Sequence, residues 1–482
     1  MKLTTIALAT LVASTSAIAD ISPFSQFTAL TGSAGPIPVG SAGEATPITF
    51  GNATWSQVTI ADRATQNALV PGSNSGNWDM ITANETGSQA GRYLFMPFET
   101  GTGGVQRIDL WDNNYATRTV TIVAPGTQGF VSGDASRWTP WGSYLTGEES
   151  WASGSTKGRL FEVTNPLTAT ANGANFLQRS IIPRVSHEGL AFDKNKSLYF
   201  VDELNGGSIY KYVSSNPNAA NGDDYFASGQ TFVLKVGSGG QFEGNNGPAI
   251  TGAGSWSAIT DAAGQPIAGA IMAGSTVDGR ATADLASIKG TGFNRPEDLE
   301  VQTLASGKQL MYFTTTDSDT NASTTDGRSR VYTLDVETGD VSLFASAETI
   351  DLATGLAAGG GFRNADNLAM DADGNIYIIE DRDGGVDNDI WFAKDLNHDG
   401  DLADAGEGLA RWASNGTQGS EFTGLYFDKF KPNVAYVNIQ HPSSGVDRTM
   451  MITAAPVPEP ESYGLAFCGL AALGWVARRR AR

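Results

Sequence analysis

The sequence predicts an all-β chain, a six-bladed β-propeller with long inter-strand loops, on three observations. Glycine (58) and proline (19) are abundant in 482 residues, which favours turns and short strands over long helices. One loose phrase returns along the interior of the chain. Each copy sets short apolar runs between turn residues, as consecutive short strands do. A pair of β-sandwiches would supply the strands but not the return of the phrase.

Six units follow in order. Trp78 to Trp111 carries Tyr93-Leu94-Phe95-Met96 and Val105-Gln106-Arg107-Ile108, and Trp138 to Val163 carries Ser143-Tyr144-Leu145-Thr146. The clearest copy runs Glu188-Gly189-Leu190-Ala191-Phe192-Asp193, then Leu198 to Glu203, then Ile209-Tyr210-Lys211-Tyr212. A fourth opens at Glu297-Asp298-Leu299-Glu300-Val301, a fifth at Asp366-Asn367-Leu368-Ala369-Met370-Asp371, and a sixth at Thr423-Gly424-Leu425-Tyr426-Phe427-Asp428. Their starts near 78, 138, 186, 296, 365 and 421 are spaced more widely than the about 40–45 residues of a compact blade. Large loops fill the difference, above all the glycine-rich stretch 214–290. Radial repetition buries each small sheet against the next and leaves only short edges.

The ends read as addresses. Lys2, the apolar run from Ile6 to Val12 and Ala17-Ile18-Ala19 form a secretory signal peptide, 1–19, ahead of a propeller spanning 20–455. In 456–482, Val457-Pro458-Glu459-Pro460 precedes an apolar run from Gly464 to Ala477 and then Arg478, Arg479, Arg480 and Arg482. That run is shorter than the about 20 residues a membrane-spanning helix needs. The pattern resembles the PEP-CTERM sorting segments of Gram-negative bacteria. The resemblance implies processing by an exosortase and an exported protein of the cell envelope, outer surface or extracellular matrix.

Lys plus Arg (31) against Asp plus Glu (51) gives a net charge of −20, so nucleic acid is not expected as a partner and cations are. One cysteine, Cys468 in the sorting segment, excludes a disulfide scaffold and a thiolate zinc site. The acids have a place to act. Glu188, Glu297 and Asp366 stand just before the first strand of their units, Glu421 lies two residues ahead of Thr423, and Glu148-Glu149 follow a strand of an earlier unit. In a propeller those positions converge on the central channel. Two carboxylates 5 Å apart at an effective dielectric near 20 repel by about 3 kcal/mol, so bound cations, Arg295 or proton uptake must compensate. The alternative is that these acids cap separate solvated turns.

Several phrases resemble the PhoX family of alkaline phosphatases: Thr139-Pro140-Trp141-Gly142 with Leu145 to Glu149, Ser186-His187-Glu188-Gly189, Arg295-Pro296-Glu297, Asp366-Asn367-Leu368, and Glu421-Phe422-Thr423-Gly424 with Asn438 to Pro442. The resemblance covers about 138–442 and implies a six-bladed propeller whose channel holds iron and calcium and hydrolyses phosphate esters. Where the family places an iron-ligating cysteine this chain has Gly147. Hard oxygen ligands remain, which suit Ca²⁺ and can hold Fe³⁺ or another hard cation. On this reading Glu148, Glu149, Glu188, Glu297, Asp366 and Glu421 hold the metal, Arg295 clamps phosphate, His187 shuttles a proton or orients a ligand, and Gly147→Cys could restore a soft ligand.

A second cation site is legible without the family. Asp395, Asn397, Asp399 and Asp401 alternate around Gly400, as the oxygen ligands of a calcium loop do. Position twelve is Gly406, however, with Glu407 one residue late; a plain acidic turn is the alternative. Asp381, Asp383, Asp387 and Asp389 suggest another such loop. Two functions from different classes result: an exported metal-dependent phosphoesterase, or a non-catalytic calcium-stabilised propeller that binds matrix polysaccharide or a surface protein.

The terminal patterns make a direct prediction. Intact-mass measurement of protein from the native host should give a chain that starts near Asp20 and ends near Pro460. A mass that retains the arginine tail overturns the sorting assignment.

Overall fold

The computed structural model describes residues 22–244, 247–316, 329–382 and 388–455. The proposed signal peptide and sorting segment lie outside these residues, as do Asp383 and Asp387. No helix among the described residues is long and apolar enough to cross a membrane.

The architecture is an all-β propeller. Among the described residues the strands form six sheets of four or more strands and one two-stranded ribbon. The innermost strands, in chain order, are Thr82–Ala83, Gly133–Trp138, Leu190–Phe192, Pro296–Thr303, Ala365–Met370 and Glu421–Phe427. Each pairs with an antiparallel neighbour that runs outward, such as Tyr144–Glu148 beside Gly133–Trp138. These second strands are buried along their whole length, which is why Tyr93–Pro97 and Leu198–Val201 read as continuous apolar runs rather than alternating ones.

The sequence placed two elements differently. The second unit begins at Gly133, and Trp138 ends its inner strand instead of opening it. The stretch 214–290 is not mere loop: it supplies Gly229–Val236 and Gly254–Ala258 to the third sheet, besides the ribbon Met272–Ala273 with Thr276–Val277. Turn residues in that stretch masked the strands between them.

Six apolar wedges, rather than one core, hold the sheets together, and each wedge draws from two adjacent sheets. Hydrogen bonds link the inner strands around the ring. Gly133 N–H donates to Phe98 O (3.0 Å), His187 N–H to Glu148 O (3.0 Å) and Gly189 N–H to Glu297 O (3.1 Å). Thr316 Oγ1 donates to Ala365 O (2.9 Å), Gly424 N–H to Asn367 Oδ1 (2.7 Å) and Thr423 Oγ1 to Trp78 O (2.8 Å). The sixth sheet joins both ends of the described chain, because the early strand Ser56–Asp62 pairs with the last one, Arg448–Thr453.

The wedge between the fifth and sixth sheets also receives the N-terminal segment. Trp412 is fully buried there, with Phe24, Trp55 and Tyr377 at ring separations of 6.0, 5.2 and 5.3 Å. Trp412→Ala should therefore cost about 3–5 kcal/mol in chemical denaturation. A loss below about 1 kcal/mol would show that this wedge does not hold the closure.

Candidate active site

One local device, repeated around the axis, brings the acids together. The residue two before five of the six inner-strand acids adopts a left-handed backbone: Asn77 (φ 48°), Ser132 (φ 39°), Arg295 (φ 53°), Asn364 (φ 51°) and Gly419 (φ 68°); Ser186, two before Glu188, does not. Such angles are uncommon for residues other than glycine, so their recurrence at one register position marks a built feature. The carbonyl at this position, that of Ser186 included, accepts the N–H of a residue one or two past the end of the second strand. Glu99 donates to Asn77 (2.8 Å), Glu149 to Ser132 (2.8 Å), Glu203 to Ser186 (3.0 Å), Thr316 to Arg295 (3.0 Å) and Asp381 to Asn364 (2.9 Å). Pairing shifts register just past Asp134, Glu297 and Asp366, between Gly133 and Ser136, Pro296 and Leu299, and Ala365 and Leu368. Bulges of this kind re-aim side chains.

The result is two rings of acids on one cavity of about 290 Å³. Asp79, Asp134, Glu188, Glu297, Asp366 and Glu421 come from the inner strands, and Glu99, Glu149, Glu203 and Asp381 from the ends of the second strands. Arg295 is the one Lys or Arg among the described lining residues. Burial first, and neighbouring carboxylates after it, push Asp79, Asp134, Glu149, Glu188, Glu297, Asp366 and Glu421 well above the usual carboxylate range. Burial pushes Glu99 up to about 7. Glu203 goes the other way: burial opposes its charge, but Arg295 and the Trp151 indole overcome that and hold it below the usual range.

Hard cations fit this site. Asp79 Oδ1, Asp134 Oδ1, Asp381 Oδ1 and Glu421 Oε2 are buried oxygens without a hydrogen-bond partner. Oxygens of Asp134, Glu149 and Glu188, and of Glu188, Glu203 and Glu297, lie within 4.8 Å of one another in each set. That limit matches about twice a Ca²⁺–oxygen distance. Glu188 belongs to both sets and could bridge two ions.

Arg295 reaches the cavity from its left-handed backbone, with Nη2 at 2.8 Å from Glu203 Oε1 and 3.3 Å from Glu297 Oε1. Its guanidinium lies 4.9 Å from the ring centre of Trp151, whose Nε1–H donates to Glu203 Oε2 (2.5 Å). His441 completes the wall, held between Gly419 O at Nδ1 and Glu421 Oε1 at Nε2, both at 2.8 Å.

Of the residues expected from sequence, Glu149, Glu188, Glu297, Asp366, Glu421 and Arg295 all line the cavity. Glu148 does not. Strand alternation turns it away from its neighbour Glu149, and it pairs with Arg159 at 2.5 Å. His187 is likewise no catalytic group here: it lies opposite Glu188, fully buried against Phe200, and burial pushes its pKa down to about 3. Ser186 is no nucleophile partner for it, since its hydroxyl donates to Glu203 Oε2 at 3.1 Å. A side chain at Gly147 would put its Cβ 2.3 Å from the Cβ of His187, so Gly147→Cys cannot restore a ligand without displacing that histidine. Of the second aspartate set, Asp381 lines the cavity and Asp389 pairs with Arg411 at 2.6 Å, while Asp383 and Asp387 lie outside the described residues. Asp395, Asn397, Asp399 and Asp401 stand on a different loop, outside the cavity.

Sequence reasoning missed Asp79, Glu99, Asp134, Glu203 and His441 as site residues. A signal was present: an acid recurs one or two residues beyond the second strand at Glu99, Glu149, Glu203 and Asp381, and starting the second unit at Gly133 aligns Asp134 with Glu297 and Asp366.

Comparisons with known proteins agree with this arrangement. The family described as "Alkaline phosphatase PhoX" matches residues 134–443. Among solved structures the chain is similar to Pseudomonas fluorescens PhoX in complex with vanadate, a transition-state analogue, at 16% identity and a TM-score of 0.61, covering 89% of this chain and 98% of that one. At that identity the likeness shows the fold. A catalytically inactive virginiamycin B lyase from Staphylococcus aureus with quinupristin matches at 9% identity and a TM-score of 0.40, over 83% of this chain and 99% of that one. No curated protein sequence matches the chain.

Raised acids make the metal-free protein sensitive to pH. A carboxyl whose folded pKa exceeds its unfolded value is not penalised below the unfolded pKa, and the penalty grows until pH passes the folded one. For Glu99 that window runs from 4.5 to about 7. The melting temperature of EDTA-treated protein should thus fall further behind that of the calcium-loaded protein as pH rises through this window, each ion at a hundred times its Kd adding about 2.7 kcal/mol. A gap that stays constant across the window would show that these acids do not face bound cations.

Proposed function

We propose that this chain, which belongs to the PhoX family of alkaline phosphatases, hydrolyses phosphate esters in the cavity where its ten carboxylates converge. The observation that carries this reading is the pair of acid rings with Arg295 beside them. Such a site attracts cations and, through them, a phosphate anion.

Oxygen-only donors favour Ca²⁺, and Fe³⁺ or another hard cation beside it. Asp134, Glu149, Glu188, Glu203 and Glu297 would hold them on one side of the cavity, and Asp79, Asp366, Asp381 and Glu421 on the other. When bound, such cations neutralise charge on phosphoryl oxygens and lower the pKa of a coordinated water. The protein's own contribution is placement. The planar fork of Arg295 matches two phosphate oxygens, and its left-handed backbone, the Trp151 ring and Glu203 fix where the fork points. His441 steadies Glu421 through Nε2. With glycine at position 147, the reaction depends on carboxylate-held ions.

The six-blade count is supported by the correspondence of six sheets with six inner-strand acids. Export is supported by the two terminal sequence patterns.

The test is hydrolysis of p-nitrophenyl phosphate by protein reloaded with Ca²⁺ alone and with Ca²⁺ plus Fe³⁺. Arg295→Ala should lower kcat/KM by about 10²–10³-fold, the scale of removing one preorganised donor to a developing charge. Arg295→Lys, which keeps the charge but not the fork, should fall in between. Vanadate should inhibit the wild type. Wild-type protein that is inactive on both phosphomonoesters and diesters with either metal set would transfer the cavity to a non-catalytic, cation-stabilised binding role.

A further inference from the structure

We propose that the loop from Asp395 to Glu407 binds one calcium ion outside the channel and fastens the fifth sheet to its neighbours. The loop joins Asn388–Lys394 to Gly408–Asn415. It leaves the end of Asn388–Lys394 remote from Asp381, so about 20 Å of strand separates it from the acid rings.

The donor set centres on one buried carboxylate. Asp395 is only 9% exposed, and its Oδ2 accepts the N–H of Gly400 at 3.0 Å. The other oxygen, Oδ1, is buried without a hydrogen-bond partner. A buried carboxylate oxygen left so costs free energy that a cation would recover. Asn397 Nδ2 donates to Asp399 Oδ2 and Asp404 Oδ2, at 2.9 Å each, which holds these two carboxylates together.

Glu407 closes the loop rather than serving as its twelfth ligand. Although it stands one residue late, Gly406 at φ +93° lets the chain fold it back beneath the loop. Its two oxygens accept the N–H groups of Leu396 (2.9 Å) and Asp404 (3.1 Å), and it is 4% exposed. A buried glutamate thus ties the start of the loop to its end. The donors are carboxylates and one amide, with no sulfur among them, which selects calcium over softer ions.

Position gives the ion its role. A Cβ at Gly400 would come within 2.6 Å of Leu310 in the fourth sheet, whose Thr333 Oγ1 also donates to Gly400 O at 3.3 Å. On the other side, Asp395, Leu396 and His398 share a cavity of about 440 Å³ with Ser25, Gln26 and Phe27 of the N-terminal segment. Ordering the loop therefore orders contacts to the fourth sheet and to that segment.

The test uses the full mature chain carrying Asp395→Asn with Asp399→Asn. Calcium per chain is counted by elemental analysis after dialysis against calcium, and melting is followed with calcium and with EDTA. The variant should bind one ion fewer per chain, show a smaller calcium-dependent rise in melting temperature, melt like the wild type in EDTA, and hydrolyse p-nitrophenyl phosphate within about twofold of it. Should the double variant fail to fold, the exposed Asp399→Asn alone is carried through the same measurements. An unchanged ion count with an unchanged calcium-dependent rise overturns the proposal. The ion count is independent of turnover, so a protein without phosphatase activity that still loses one ion upholds the loop site.

Discussion

Mutual repulsion among carboxylates is the constraint on which the rest of this structure depends. Ten of them face one cavity of about 290 Å³, with Arg295 the single Lys or Arg among the described lining residues. At an effective dielectric near 20, each close pair repels by about 3 kcal/mol, and a few such pairs equal the whole stability of an ordinary domain. Burial adds to the penalty, and together burial first and neighbouring carboxylates second raise the pKa values of seven of these acids. A chain that concentrates charge in this way is built to be completed by ions.

The scaffold must hold those groups against their repulsion, and it does so by repetition. Left-handed residues ahead of the inner strands, carbonyls that accept from the ends of the second strands, and bulges just beyond three of the acids recur around the axis. Each device is local, but a ring of hydrogen bonds between inner strands and six apolar wedges lock them together. Side chains so placed lose little freedom when an ion or a phosphate arrives, which is the advantage of preorganisation.

The site is assembled without a thiolate. Gly147 stands where the family resemblance places a cysteine, and His187 packs its Cβ into the space a side chain there would need. The histidine that reaches the cavity is His441 instead, on the sixth sheet. An all-oxygen donor set with one histidine on the wall shifts the preference toward hard cations.

Much of this was determined by the sequence alone. The recurring phrase gave the propeller, the inner-strand acids Glu188, Glu297, Asp366 and Glu421 were legible from their shared position, and Arg295 from its place beside one of them. These readings hold because strand period and turn chemistry are local properties, visible within a few residues. What only the tertiary structure decided was which face each side chain takes and what meets it across the axis. Glu148 and Glu149, or His187 and Glu188, are adjacent in sequence and equally polar, yet one of each pair lines the cavity and the other is buried behind it. A one-residue change of register reverses that choice, and the register rests on bulges and left-handed turns that no residue type announces. Three of the four acids of the second ring escaped the sequence for the same reason: Glu99, Glu203 and Asp381 follow strands that end at different distances from them, and only closure of the propeller brings them to one place.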